Sequence, residues 1–304
     1  MKSKIVLSAL AIIFLGMSGH ASAQEANLKV LHQKTATQLR EIVERTRGVM
    51  GVTALDLTTG ERFAINEDLV FPQASAIKIA ILMEVCKQAQ AGKFKFTDRR
   101  RIEKQDKAGG SGVLLHLGDG TVELTIEDLC VLMITVSDNT ATNLLIDLVG
   151  MANINQTLAS IGLKHTRVQR RMLDTGASWR GEDNISTPAE AARIMELLFK
   201  GEFLSREVCD HILSILRKTK TGGIKSGLPA DVPVAFKPGG LAGVKTEWAI
   251  VLLQSRPYVV TVMENYGMED DAAKAMQEIS RTLHDYFSRL ARATAHGTYV
   301  EPPR

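Results

Sequence analysis

β-type patterns stand at both ends of this chain with a helical pattern between them, and no other feature restricts the fold as much. Near the amino end, VMGVTALDLTTGERFAINED alternates apolar and polar residues on either side of Thr58-Thr59-Gly60, which predicts a β-hairpin. After residue 232, PVAFKPGG, TEWAIVLLQ and YVVTVMENY read as a three-strand meander. From about residue 75 to 217 the apolar spacing is helical. With no internal repeat and no low-complexity linker, the two ends are expected to share one sheet. The predicted fold class is α/β in the form of an α+β sandwich. An antiparallel sheet is flanked by an opening helix that stops at Gly48 and a closing helix over about Asp270 to Ala293. The α/β lobe covers about 24–70 and 218–295, an all-α lobe covers about 71–217, and together they make a single domain over 24–304.

Local signals sharpen the helical middle. Thr125 with Asp128 three residues on has the form of a capping box, and Thr187-Pro188-Ala189-Glu190 combines an N-cap, a first-turn proline and a box acid. Between these helices TRVQRRMLDTGASWRGEDNIST has no sustained period, and loops of such length usually serve a function.

Residues 1–23 carry Lys2 and Lys4, an apolar run from Ile5 to Leu15 and the small-residue ending Ala21-Ser22-Ala23. This is the pattern of a secretory signal cut before Gln24, and its apolar run is shorter than a membrane span requires. The expected destination is the periplasm, with no membrane span in the mature chain. Cleavage lowers the formal charge from +3 to +1, and no basic stripe points to nucleic acid. Export permits a disulfide, so Cys86 and Cys130 could pair across two packed helices; three buried thiols are the equal alternative. Cysteine spacing matches no metal template.

Three short stretches could carry chemistry. In Ser75-Ala76-Ile77-Lys78 the serine opens a helix, with free N–H groups and the positive end of the dipole near its hydroxyl, and the lysine stands one turn away. A buried lysine can be neutral enough to take a hydroxyl proton. Ser137-Asp138-Asn139 lies between two helical runs, where Asp138 can hold the turn while Ser137 and Asn139 face a cleft. Lys237-Pro238-Gly239-Gly240, followed by Lys245, places cations on strands whose glycines permit close approach. Each stretch alone has a bland reading: an N-cap serine beside a solvated lysine, a capping turn, an exposed strand lysine.

In this order, with 62 residues from Ser75 to Ser137 and 100 from Ser137 to Lys237, the three resemble the Ser-x-x-Lys, Ser-Asp-Asn and Lys-Thr-Gly set of class A β-lactamases and penicillin-binding serine hydrolases. The resemblance covers almost the whole mature chain and implies a β-lactamase-like fold and an acyl-enzyme mechanism with no cofactor or metal. Ser75 would attack the lactam carbonyl, Lys78 take its proton and Ser137 pass one to the departing nitrogen. Asn139 would hold the substrate's side-chain amide. The N–H groups of Ser75 and Gly240 would form the oxyanion hole, and Lys237 with Lys245 would attract the substrate carboxylate. The expected partner is a small β-lactam or related acyl substrate, and the expected state is a monomer.

Two positions depart from that family. Met172 stands where the long loop of that family carries a water-activating glutamate, and Asp174 is the nearest replacement, ahead of Glu182 and Asp183, with a structural role at the loop's edge as the equal alternative. Pro238 stands where the family has threonine or serine, which removes a hydroxyl and a strand N–H and predicts a locally edge-like strand. The alternatives are a peptidase or esterase acting on cell-wall fragments, and a penicillin-binding receptor that acylates without turnover.

Overall fold

The two β-patterned ends meet in one sheet. A computed structural model describes residues 26–294 and 296–299; the export signal expected over 1–23 lies outside the described residues. The chain opens with α1 (26–44), then β1 (Val49–Asp56), β2 (Arg62–Ile65) and β3 (Phe71–Pro72), and a 3-10 turn (Ala74–Ile77) leads into α2 (Lys78–Gln90). The helical lobe continues through β4 (Arg99–Ile102), β5 (Val122–Thr125), α3 (Ile126–Thr135), α4 (Asn139–Val149), α5 (Met151–Ser160), α6 (Thr175–Trp179), β6 (Ile185–Ser186), α7 (Pro188–Lys200) and α8 (Arg206–Leu216). The chain returns through α9 (Gly223–Ser226) to β7 (Val234–Leu241), β8 (Val244–Val251), β9 (Tyr258–Asn265) and α10 (Glu269–Arg292).

The main sheet has the order β2-β1-β9-β8-β7. β1 pairs antiparallel with β9 from Val49↔Asn265 to Asp56↔Tyr258, which joins the hairpin to the meander. Both faces are covered. On one, Leu39 and Ile42 of α1 and Ile279, Leu283 and Phe287 of α10 pack with Val52, Phe236, Ala249 and Val262. On the other, Trp248, Ile250 and Met263 pack with the core of the helical lobe. Double coverage explains why β9 is buried at seven consecutive positions and reads as a near-continuous apolar run. Within the lobe α2 is buried on nearly every side, as its KIAILMEVC run requires.

The expected caps are present, with one change of use. Thr125 Oγ1 accepts the Asp128 N–H at 3.0 Å while Asp128 accepts the Thr125 N–H at 3.0 Å. Thr187 caps α7 by accepting the Glu190 N–H, but the Glu190 carboxylate turns away to accept the N–H groups of Lys164, His165 and Thr166. It thereby fastens the start of the long loop to α7.

The middle segment is not all helix. β4 pairs with β5, and β3 with β6, as two-stranded ribbons. Ile102 is the single fully buried residue of the first ribbon, so it leaves no alternation to read. Cys86, Cys130 and Cys209 are free buried thiols, and the conceivable Cys86–Cys130 bridge is absent.

Gln73 fastens the helical lobe to the sheet. Fully buried, it accepts the Trp248 indole N–H at 2.9 Å and donates to the Phe71 carbonyl at 2.8 Å, while its own carbonyl accepts from Thr246 at 2.9 Å. Gln73→Ala leaves the indole donor unpaired in the core and opens a void. The expected loss of unfolding free energy is about 2–4 kcal/mol in denaturant titration, and a loss below about 1 kcal/mol would show that Gln73 is not a fastening.

Candidate active site

Ser75 lies in the 3-10 turn Ala74–Ile77 that precedes α2. Strand β7 is pressed against this turn because Gly239 has no side chain. A Cβ there would fall 2.6 Å from the Gln73 carbonyl oxygen and 2.7 Å from the Ala76 nitrogen. Ala74 takes a left-handed φ of +45°, a backbone conformation seldom adopted away from glycine and found at constrained sites.

Lys78, one residue past the turn, is fully buried. Its Nζ donates to the Ser137 carbonyl at 2.7 Å and to Asn139 Oδ1 at 2.9 Å, and lies 3.1 Å from Ser137 Oγ. Burial drives its pKa well below that of an ordinary lysine. The nearby Lys237 charge pushes the same way and Asp138 opposes weakly. In the neutral form, two N–H bonds serve the carbonyl and the amide oxygen, which leaves the nitrogen lone pair for a hydroxyl proton.

Asp138 holds the geometry around Ser137. One oxygen accepts the Ala141 N–H and caps α4, and the other accepts the N–H groups of Val113 at 2.7 Å and Leu114 at 2.9 Å. Ser137 itself sits at a φ of +56°. Asn139 completes the connection by donating to the Gly109 carbonyl at 2.9 Å.

From the sheet side, Lys237 Nζ donates to Ser137 Oγ at 3.1 Å and to the Pro238 carbonyl at 2.9 Å. Burial lowers its pKa to about 7, aided by the charge of Lys220 and opposed by Glu247. Ser137 Oγ therefore stands between two amines whose proton affinities have both been reduced, one from each lobe. β7 is the edge strand of the sheet, as expected for the position of Pro238.

Two clefts share Ser75, Ser111 and Gly240. One, of about 420 Å³, is lined also by Ser137, Lys237, Pro238 and Lys245. The other, of about 270 Å³, is lined also by Asn139, Met172, Leu173, Arg170 and Asp183. A cavity of about 610 Å³ between α1 and α10 contains none of these groups. The structure thus brings Ser75, Lys78, Ser137, Asn139, Lys237, Gly240 and Lys245 to one place.

Asp174 is not brought there. Its carboxylate accepts the Ala177 N–H at 2.9 Å and caps α6, and it is not among the residues lining either cleft. The short α6 inside the loop needed a cap, and Asp174 occupies that position. Asp183 does reach the cleft wall, but it pairs with Arg170 and accepts from Ser178. Ser111 and Glu247 went unnoticed in the sequence. The Gly109-Gly110-Ser111-Gly112 cluster was a signal for the first, and a carboxylate in phase with Ala249 and Val251 was a signal for the second.

Residues 34–287 match the model of the beta-lactamase enzyme family. The chain is 26% identical over 291 residues to the beta-lactamase SME-1 of Serratia marcescens, covering 92% of this chain and 95% of the relative. A beta-lactamase from Sphaerobacter thermophilus DSM 20745 superimposes with a TM-score of 0.76 at 34% identity, covering 84% of this chain and 97% of its own. A mutant of PBP-A, solved as an acyl-enzyme complex with penicillin-G, superimposes with a TM-score of 0.77 at 27% identity, covering 84% of this chain and 97% of its own.

The charge of Lys237 depresses Lys78, which makes their coupling measurable. In ¹³C-lysine NMR, Lys78 is expected to titrate well below the ordinary value of about 10.4. Lys237→Met removes a like charge and should move the Lys78 midpoint upward. An unchanged midpoint would mean that the amines do not sense each other across Ser137.

Proposed function

The chain belongs to the beta-lactamase enzyme family and is a serine hydrolase of the β-lactamase type, and we propose that it opens β-lactam amides through an acyl-enzyme on Ser75. The observation that carries this reading is the approach of Lys78 and Lys237 to Ser137 Oγ, each at 3.1 Å, in a cleft shared with Ser75. Lys78 takes the Ser75 proton as its oxygen bonds to the carbonyl carbon. The oxyanion is met by the N–H groups of Ser75 and Gly240. Ser137 delivers a proton to the lactam nitrogen as the C–N bond breaks, and it recovers one from Lys78. Lys237 and Lys245 attract the substrate carboxylate, and Asn139 holds the side-chain amide. Export by the signal over residues 1–23 would deliver this chemistry to the periplasm, and mass spectrometry of the exported protein should find Gln24 at its amino end.

Release of the acyl group is the slow half of this cycle. A thioether cannot activate water, so Met172 supplies no base, and the Asp174 carboxylate is engaged as a cap. Loss of a general base lowers a rate by about 10² to 10⁴. Met172 therefore favours a second reading, a penicillin-binding receptor that retains its acyl group.

A chromogenic cephalosporin followed by colour and intact mass separates the readings. The expected result is a burst, a persistent one-acyl adduct absent from Ser75→Ala, and slow further colour. Met172→Glu should speed release by about 10² or more. Rapid steady turnover without an adduct would overturn the account of a missing base. Neither colour nor adduct would point to a peptide or ester of cell-wall origin. Asp174→Asn should leave release unchanged, and a slower release would restore Asp174 as the base.

A further inference from the structure

Trp179 is 92% exposed, more than any other large apolar side chain among the described residues. An indole left in water adds little to the fold, because burial is what makes so large an apolar surface stabilising. Trp179 belongs to α6, the five-residue helix inside the long loop, whose Ala177 is buried on the side turned to the protein. Thr175 and Ser178, on the other side of α6, line the 270 Å³ cleft, and Trp179 stands one turn beyond Thr175 on that same face. The Cα–Cβ bonds of a helix tilt toward its amino end, which leans the indole back over Thr175 and the mouth of the cleft. Leu173, earlier in the loop, and Leu241, at the end of β7, line the same cleft and are also exposed. Three apolar side chains therefore surround one opening.

Inside the opening the polar groups are committed to one another. Arg170 and Asp183 are the charged residues that line it, and Arg170 Nε donates to Asp183 Oδ1 at 3.0 Å. Ser178 Oγ donates to the same oxygen at 2.9 Å. Asn184 Oδ1 accepts the N–H groups of Gln169 and Arg170, and its amide nitrogen donates to the Arg170 carbonyl. A charged group entering here gives up its hydration and finds both lining charges already paired, which is unfavourable. An uncharged ring gives up little and gains contact with Met172 and Leu173.

We propose that Trp179 is a specificity-determining residue, the aromatic outer wall of this cleft, and that it selects β-lactams whose acyl side chain ends in an uncharged aromatic ring. The proposal rests on the reading of Asn139 as the group that holds the side-chain amide, since Asn139 lines the same cleft and directs whatever follows the amide toward α6. The ring stacks on the indole or meets it edge to face, and the two leucines close around it.

Two readouts on the full chain test the proposal. The chain has two tryptophans, and Trp248 is fully buried, so quenching of indole fluorescence by acrylamide reports Trp179. In Ser75→Ala, which cannot form the adduct, saturating benzylpenicillin should shield the indole and lower the quenching constant. Aminopenicillanic acid, the same nucleus without the aryl group, should leave it unchanged. Trp179→Ala should slow acylation by benzylpenicillin, read as adduct formation by intact mass, about threefold to tenfold. Acylation by aminopenicillanic acid should keep its rate in that variant, and Trp179→Phe should retain most of the rate with benzylpenicillin. Equal quenching with the two ligands, or equal slowing of the two acylations, overturns the proposal. Adducts on Ser75 that form at rates indifferent to Trp179 would remove the aromatic wall and keep the hydrolase. Shielding of Trp179 by benzylpenicillin with no adduct on Ser75 of the unaltered chain would sink the hydrolase reading and keep the aromatic wall.

Discussion

A lysine buried without a carboxylate in contact governs the rest of this structure. Lys78 has no exposure to water, and its hydrogen-bond partners are a carbonyl, an amide oxygen and a hydroxyl. An ammonium in that setting is unfavourable, so the pKa falls and the free amine, which can serve as a base, becomes more accessible. Its acceptors must then be held in place by others. Asp138 does this by fastening the 113–114 backbone and capping α4 at once, and Ser137 is left in a left-handed conformation between them. Strain and desolvation are thus concentrated at one connection, with α2 and α4 as rigid supports.

The parts legible in the sequence were those with a period or a local rule. The hairpin, the meander, the closing helix and the caps at Thr125 and Thr187 each follow from spacing within a few residues. Ser75, Ser137 and Lys237 were legible because three weak motifs occur in one order. What escaped depended on tertiary contact. The β4–β5 ribbon has too little burial to leave a pattern. The Glu190 carboxylate could not be seen to desert its own cap for three N–H groups of another segment. Asp174 illustrates the converse. Proximity in sequence to Met172 suggests a base, while this carboxylate is found accepting the Ala177 N–H as the cap of α6.

The long loop keeps its shape through contacts of its own. Asn143 clamps Met172 from both sides, accepting its N–H at 2.8 Å and donating to its carbonyl at 3.3 Å. Arg167 and Ile185 exchange backbone hydrogen bonds across the neck of the loop. Its three carboxylates are all engaged: Asp174 with α6, Asp183 with Arg170 and Ser178, and Glu182 with Arg180. Each is thus committed to other groups, so another acid in the loop does not substitute by nearness alone.

Strand β7 joins two demands that usually conflict. An edge strand exposes unpaired backbone groups and invites pairing with other chains, yet a substrate that must reach an oxyanion hole needs such an edge to be open. Pro238 removes one donor from the edge and resists the addition of a further strand. Gly239 admits the 3-10 turn that carries Ser75, which covers part of the edge with the protein's own backbone. The stretch that stays open is short, and it is flanked by Lys237, Gly240 and Lys245. Charged side chains at the opening make it unattractive to an uncharged strand, and the open edge and the cleft are for that reason one piece of structure.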